Sequence, residues 1–399
     1  MIPLNKQKIA VLGEGLTATA VRKKMADLHI PEVPVQKASL IIASPGIPPE
    51  NYPANIQGEV ISEIDFAYKL FDETNAMPMI IGVTGTNGKS TVTSLIAHIL
   101  ECPASGNIGT PLIEFVGKHP AKTPIVVELS SYQLEQSHTF RSHIAVLLNL
   151  TEDHLERHKT MHEYGQAKAK IFTLQTTNDF LIYNQDDPKI IKLITEKGPQ
   201  KIPYSLTDPE ANLLHVFPLP GQHNVSNALS AYKVAKILTL SEQEILEKMK
   251  TFKGLEHRIE FVTLLNQCPV YNDSKATNPD ATLKAVCAFD KPVHLILCGY
   301  DKGLPLDSFI KILHQTVKTI TVFGGITTRF TQCSQRINSN FPIAIVKDIK
   351  SALIHILETT LPEEIILFSP ACSSFDQFKN FEDRGTQFKH WVSKTYGEN

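Results

Sequence analysis

At 399 residues, 42% hydrophobic and 20% charged, the chain has the composition of a soluble globular protein. Its length allows two to four domains of roughly 100–200 residues, each with its own core. A formal net charge of −2 offers no bulk attraction to nucleic acid or to an anionic membrane, so neither is expected as a partner. The six cysteines (102, 268, 287, 298, 333 and 372) contain no C-x-x-C pair and fit free thiols in a reducing compartment. No apolar run approaches the ~18 residues of a membrane span, and a cytoplasmic location is expected.

In chain order, strand-like apolar runs alternate with helical patterns, the signature of α/β layers with parallel sheets. "KIAVLGEGL" reads as a strand entering a glycine turn, and "ASLIIASPG" as a strand stopped by Pro45-Gly46. The first turn spells Gly13-x-Gly15-x-x-Ala18, a loose dinucleotide fingerprint. A plain tight turn explains it about equally well, because the acidic partner on offer, Glu32, lies in "IPEVP", a poor strand end. After the polar linker "DETNAMP" come "PMIIGVTG", "TPIVVELSS" and "SHIAVLLNL", three buried strands of a covered sheet. Beyond residue 260 the pattern restarts with "VHLILCG", "KTITVFGG" and "EEIILFSPA", separated by helical stretches such as "LDSFIKILHQTV". Boundaries near 76 and 257 divide the chain into three α/β units, 1–76, 77–257 and 258–399.

"GVTGTNGKST", residues 82–91, joins a predicted strand to a predicted helix, as a phosphate cradle requires. The usual G-x-x-x-x-G-K-[ST] pattern would put a glycine where Val83 stands; here glycines occupy 82 and 85. Backbone amides and the helix N-terminus would face the phosphates, Lys89 would reach the terminal ones, and Ser90 could ligate Mg²⁺. Such a loop needs an acid at the end of a neighbouring strand, and Glu128 closes "TPIVVE". The next strand ends in "LNLTEDHLERH", bringing Glu152, Asp153 and His154 to the same sheet edge. His154, His158 and His162 recur every four residues and would share a helix face, but Glu156 is one place late for a His-Glu-x-x-His zinc site. His158 and His162 therefore read as surface histidines. In the last unit, Asp273, Lys275, Thr277, Asp301 and Lys302 cluster at strand–loop junctions and suit an acidic small substrate. The residues alone leave open a nucleic-acid motor, since "TEDH" follows a strand, and a nucleotide-binding regulator without chemistry.

Seven motifs in order carry a resemblance: "GVTGTNGKST", "ELSSYQLE", "LNLTEDHLERH", "GQHNVSNAL", "GLEHRIE", "NDSKATNPDAT" and "SPACSSFDQFKNFEDRG". Together they resemble those of the Mur ligases over about residues 79–390, and the last two are most similar to the family's D-glutamate-adding members. The family loop is similar to G-T-x-G-K-[ST], so Val83 fits it. The resemblance implies a Rossmann-like N-terminal domain, a central domain with a phosphate-loop ATPase-type parallel sheet, and a Rossmann-like C-terminal domain. It implies ATP-dependent addition of D-glutamate to UDP-N-acetylmuramoyl-L-alanine through an acyl phosphate, with two Mg²⁺ ions, in a monomer whose last unit closes over the site.

Residue by residue, the resemblance implies that Gly85, Thr86, Asn87, Gly88, Lys89, Ser90 and Thr91 hold ATP phosphates. Asn224, Asn227, Arg258, Asp273 and Lys275 match nucleotide-side positions. Glu128 and His154 match metal ligands, together with Ser90. Lys168, in "YGQAKAKIF", matches the lysine that the family carbamylates for the metal; composition alone would make it an exposed helical lysine. Lys89, Lys168 and His154 are the catalytic positions implied. Gly15, Leu16, Thr17, Ser44, Gly46 and Asn107 match the UDP-substrate side, though the family's acid–hydroxyl pair for uracil has no counterpart here. Thr277, Lys302, Ser374 and Phe381 match the D-glutamate pocket.

Overall fold

The computed structural model describes residues 4–303, 305–338 and 340–397. Among these, three sheets form, each faced by helices. The first comprises β1 (Ile9–Leu12), β2 (Leu40–Ala43) and β3 (Glu59–Ile61), parallel and in that order, with Ile9 beside Leu40 and Ile41 beside Val60. Helices α1 (Leu16–Asp27) and α2 (Glu63–Glu73) belong to it; Ser62 caps α2 by accepting the Asp65 amide. Ile64, Phe66, Ala67, Leu70 and Phe71 recur at helical spacing on α2 and are all buried.

The second sheet holds β4 (Met79–Thr84), β5 (Ala104–Gly106), β6 (Pro124–Glu128), β7 (Ile144–Leu147), β8 (Phe180–Asn184) and β9 (Gln200–Tyr204). Its order is β5-β6-β4-β7-β8-β9, parallel throughout. Around it lie α3 (Lys89–Leu100), α4 (Ser131–Glu135), α5 (Leu155–His158) and α6 (Met161–Thr173). One apolar core, from Leu4 through Phe66 and Ile80 to Ile190, runs under both sheets. The loop after β5 is bound to the first sheet's helices: Lys24 Nζ donates to Val116 O at 2.8 Å, and Glu63 Oε1 accepts from the Ile113 amide at 2.6 Å.

The third sheet consists of β10 (Glu260–Leu265), β11 (Cys268–Asn272), β12 (Val293–Cys298), β13 (Thr319–Phe323), β14 (Ile343–Ile345) and β15 (Ile365–Ala371). Its order is β10-β11-β15-β12-β13-β14, parallel except for the edge strand β10. Asn266 and Gln267, with φ of 48° and 65°, make the two-residue turn that lets β10 pair antiparallel with β11. β12 is buried along its whole length between two apolar clusters, and its one polar member, His294, is bonded to Thr319 and Glu364.

The chain divides into two compact units. One runs to Phe217 and takes up His223–Phe252; the other comprises Pro218–Gln222 and the chain from Lys253. The expected boundary at 76 falls in the link between α2 and β4, inside the first unit, and that at 257 falls shortly after the last crossing. Among the described residues, no helix is long and apolar enough to cross a membrane.

Candidate active site

Because β4 lies between β6 and β7, the loop that follows it emerges with a strand end on either side. Val83 is fully buried and pairs with Glu128 and Val146, so it belongs to the strand and not to the loop. Gly82 is a packing residue: a Cβ there would lie 3.2 Å from side-chain atoms of Leu129, Ser142 and Ile171. The cradle begins at Gly85, whose φ of +156° leaves a Cβ 2.9 Å from Leu148. Gly88 ends it at φ +84°, where a Cβ would fall 2.4 Å from Asn227 Oδ1, so only glycine fits. Gly88 caps α3 without a side-chain bond, and a helix N-terminus of this kind favours an anion.

The loop is held from β7 and α6. Thr86 N donates to Asn149 O at 2.9 Å, Asn87 N to Asn149 Oδ1 at 2.8 Å, and Asn149 Nδ2 returns a bond to Asn87 O at 3.0 Å. Tyr164 and Lys168, one turn apart on α6, both reach the loop: Tyr164 Oη donates to Thr86 Oγ1 at 3.1 Å and Lys168 Nζ to Gly85 O at 2.9 Å. Lys89 Nζ donates to Gly85 O and Thr86 O, both at 2.8 Å. Lys168 is 1% exposed, which corrects its reading as an exposed lysine. Burial, reinforced by the nearby Lys89 ammonium, holds its pKa well below the ordinary lysine value. From the helix Gln222–Ile237, Asn227 lies against Gly88 and donates to Asn224 Oδ1 at 3.2 Å, and both asparagines are buried.

Glu128, at the end of β6, is 2% exposed. Its Oε1 accepts from Asn107 Nδ2 at 2.9 Å, while Oε2 is buried with no hydrogen-bond partner among the described residues. Such an orphaned carboxylate oxygen is costly unless a cation or donor meets it. Asn107 thus supports Glu128 directly, a role the sequence did not suggest. His154 sits before α5 with φ 54°, its Nδ1 3.0 Å from Tyr132 Oη and its Nε2 3.5 Å from Asp153 Oδ2.

The three histidines do not share a helix face, because Lys159, at φ 61°, ends α5 before α6 begins. His158 is no surface histidine either: it is 4% exposed and bonds Ser131 Oγ at 3.0 Å, whereas His162 is exposed. Among the described residues, no three His, Cys, Asp or Glu side chains gather into a metal centre by themselves.

In the first sheet, Gly15 caps α1 without a side-chain bond, Leu16 beside it is 69% exposed, and Thr17 lies in the same first turn. A Cβ on Gly13 would lie 2.2 Å from Ser44 Oγ, a buried hydroxyl oxygen without a partner among the described residues, and Gly46 follows in the same turn. Glu32 is committed to the protein, accepting from the Val11 amide at 3.2 Å and from Arg22 Nε at 3.0 Å.

In the second unit, the segments after β11, β12 and β15 carry the remaining positions. Asp273 accepts from Ser369 Oγ at 2.7 Å and from the Ile259 amide at 3.2 Å, fixing the segment that displays Arg258 between two left-handed residues, His257 and Ile259. Burial pushes its pKa up to about 7. Lys275 Nζ lies 5.7 Å from the Phe381 ring centre, and Lys302 Nζ donates to Thr277 O at 3.3 Å. Asp301 is paired with Arg329. Arg384, fully buried, donates to Ser274 Oγ, Ser274 O and Cys372 O, tying the Lys275–Thr277 segment to the one holding Ser374. Arg384, Asn149 and Tyr164 went unnoticed in the sequence; only the positions of Asn149 at a strand end and Tyr164 four residues before Lys168 hinted at a role.

A parallel sheet whose central strand feeds a glycine loop and an uncapped helix, flanked by a buried, half-paired carboxylate, defines a nucleotide-binding protein of the phosphate-loop class. Residues 83–216 match the Mur ligase middle domain. The chain is 36% identical over 395 residues to UDP-N-acetylmuramoylalanine–D-glutamate ligase of Clostridioides difficile (strain 630), covering 92% of this chain and 86% of that one. It is 34% identical over 414 residues to the Bacillus cereus (strain G9842) protein of the same name, covering 96% and 90%. The fold is shared with MurF ligase from Thermotoga maritima in complex with ADP, at TM-score 0.62 and 16% identity over 98% of this chain and 97% of that one. It is shared also with a UDP-N-acetylmuramoyl-L-alanyl-D-glutamate–2,6-diaminopimelate ligase, at TM-score 0.63 and 19% identity over 97% and 92%. The chain belongs to the Mur ligases, in the family of UDP-N-acetylmuramoylalanine–D-glutamate ligases.

Proposed function

We propose that the protein uses ATP to join D-glutamate to UDP-N-acetylmuramoyl-L-alanine, a cytoplasmic step of peptidoglycan synthesis. The observation that carries this reading is the uncapped start of α3 with Lys89 on its loop and the unpartnered Glu128 Oε2 on the neighbouring strand. A carboxylate oxygen of the alanyl group attacks the γ-phosphorus, ADP leaves, and an acyl phosphate forms. The D-glutamate amine then attacks the acyl carbon, loses a proton, and inorganic phosphate departs as the amide forms. Such chemistry asks the protein chiefly for positioning and charge stabilisation.

In this reading Gly85–Thr91 hold the phosphates, with Lys89 on the transferred group, and Asn224, Asn227, Arg258 and Lys275 serve the nucleotide. Glu128, Ser90 and His154 hold divalent cations, and Mg²⁺ bound there would screen the repulsion between carboxylate and γ-phosphate. Glu128 fits that task because its buried Oε2 has no hydrogen-bond partner among the described residues. Lys168, whose burial favours the neutral amine, is suited to add CO₂ at Nζ with loss of a proton, giving an anion beside the cations. The turns holding Gly15–Thr17 and Ser44–Gly46 take the UDP moiety, and Thr277, Lys302, Ser374 and Phe381 take D-glutamate. Domains of 1–76, 77–257 and 258–399 carry these tasks in turn.

The test is phosphate release with ATP, UDP-N-acetylmuramoyl-L-alanine and a panel of amino acids. Release is expected only when that substrate and D-glutamate are both present, and Lys89→Ala abolishes it. Turnover with L-alanine or a diamino acid in place of D-glutamate would sink the assignment.

A further inference from the structure

Glu128 closes β6 and His154 follows β7, so with β4 between those strands the two residues stand on opposite sides of the phosphate loop. Beyond Glu128 the chain passes through Leu129 and Ser130 into α4, and His154 is the residue from which α5 starts. These helices have 5 and 4 residues, too short to hold themselves. The left-handed Lys159 keeps α5 from continuing into α6, and what α5 takes from α6 is ring packing, His158 lying 5.4 Å from Tyr164 between ring centres.

Side-chain links also join the two helices, among them a bond from Tyr132 Oη to Glu156 Oε1 at 3.3 Å. Tyr132 Oη and His154 Nδ1 are 3.0 Å apart. Arg157 donates through Nη2 and Nε to Glu135 Oε2 at 2.7 and 3.0 Å, and its guanidinium lies 4.7 Å from the Tyr132 ring centre. His158 Nε2 bonds Ser131 Oγ at 3.0 Å, with both residues nearly fully buried. The Arg157 side chain is only 7% exposed, so losing its partner would strand a desolvated charge. α4 is anchored at its far end too, where Asp65 accepts the amides of His138, Thr139 and Phe140. α4 is thus the fixed member and α5 the one being held.

We propose that Arg157 and His158 are positioning residues: by clasping α5 to α4 they fix the separation of His154 from Glu128 across the phosphate loop. This rests on the functional reading above, in which those two side chains hold divalent cations. Neither Arg157 nor His158 takes part in the chemistry; they set where a ligand stands, and misplacement of a ligand by an ångström is enough to weaken a metal site.

The experiment uses the full chain with Arg157→Ala, His158→Phe and His158→Gln. Mn²⁺ retained in the presence of ADP is followed by the paramagnetic signal of the free ion, alongside ligase rates over a range of Mg²⁺. Arg157→Ala and His158→Phe should weaken Mn²⁺ retention by about tenfold or more and raise the half-saturating Mg²⁺ concentration in step, with the KM for D-glutamate unchanged. His158→Gln, whose amide reaches Ser131 as the imidazole Nε2 does, should restore most of the loss. Folded Arg157→Ala and His158→Phe proteins with wild-type Mn²⁺ retention overturn the proposal, as does a His158→Gln protein no better than His158→Phe. Should Arg157→Ala not fold, Arg157→Lys, which keeps the charge and loses the two-point contact, is read in the same assay. Failure of the functional reading shows separately, as wild-type protein that retains Mn²⁺ with ADP but has no ligase activity.

Discussion

At the first turn of α2, Glu63 is 1% exposed, and its Oε1 receives the Ile113 amide at 2.6 Å. Burial outweighs that hydrogen bond and moves its pKa from the ordinary 4.5 up to about 7. The unfolded chain therefore releases this proton at lower pH than the folded one. The contribution of Glu63 to stability is intact below pH 4.5, falls as the pH rises, and is lost once the pH passes about 7. A shift of this size corresponds to about 3 kcal/mol as an upper figure. Glu63→Gln keeps an oxygen for the Ile113 amide and cannot ionise. Its thermal midpoint should match the wild type near pH 4.5, rise above it by several degrees at pH 8, and show most of the change in between. Equal differences at both pH values would mean that burial of this carboxyl is not the cause. Lys168 illustrates the same scale from the other side: its burial is invisible in "YGQAKAKIF", because a lysine on an otherwise mixed helix carries no sign of which face is covered.

On the scale of elements, the phosphate loop is shaped by its neighbour. Asn149, just beyond β7, makes two side-chain bonds to Asn87 and accepts the Thr86 amide with its carbonyl. Asn149→Ala removes the side-chain pair and leaves the Asn87 amide and carbonyl to solvent. At about 1 kcal/mol for each such bond, ADP affinity should fall roughly five- to thirtyfold, as titration calorimetry would register. An affinity within twofold of wild type would show that the loop keeps its shape without this support. Legibility in the sequence followed the strength of each element's pattern. The long apolar runs at β4, β6, β7, β12, β13 and β15 announced themselves, and the loop between β4 and α3 was readable because glycine, lysine and hydroxyl succeed one another. β3 and β5 have three residues each, and β9 is an edge strand containing Pro203, so none carries a periodicity to find. The histidine spacing misled for a related reason: periodicity assumes a continuous helix, and the left-handed Lys159 interrupts it. Ligand geometry at Glu128 was half legible, since its place at a strand end could be inferred but its bond to Asn107 depends on folding of the β5 loop.

The whole molecule assigns its candidate tasks to different bodies. The phosphate loop, Glu128, His154 and Lys168 all lie in the first compact unit, whereas Thr277, Lys302, Ser374 and Phe381 lie in the second. Within the second unit, buried Arg384 ties the segments carrying Thr277 and Ser374 into one piece. Lys302 is exposed, and its ammonium donates to Thr277 O at 3.3 Å, which leaves it further donors for an acidic amino acid. A hydrogen bond from a charged group is worth about 1.5–3 kcal/mol, so Lys302→Ala should raise the KM for D-glutamate by about ten- to a hundredfold. The same protein should bind ADP with unchanged affinity, because Lys302 lies in the second unit and is not one of the positions there, Arg258 and Lys275, proposed to serve the nucleotide. Steady-state kinetics at saturating ATP gives the first quantity and calorimetry with ADP the second. A KM for D-glutamate that does not move would remove Lys302 from the amino-acid pocket. A parallel loss of ADP affinity would mean instead that the substitution disturbs the nucleotide site, and Lys302 would have to be moved to the nucleotide-side positions.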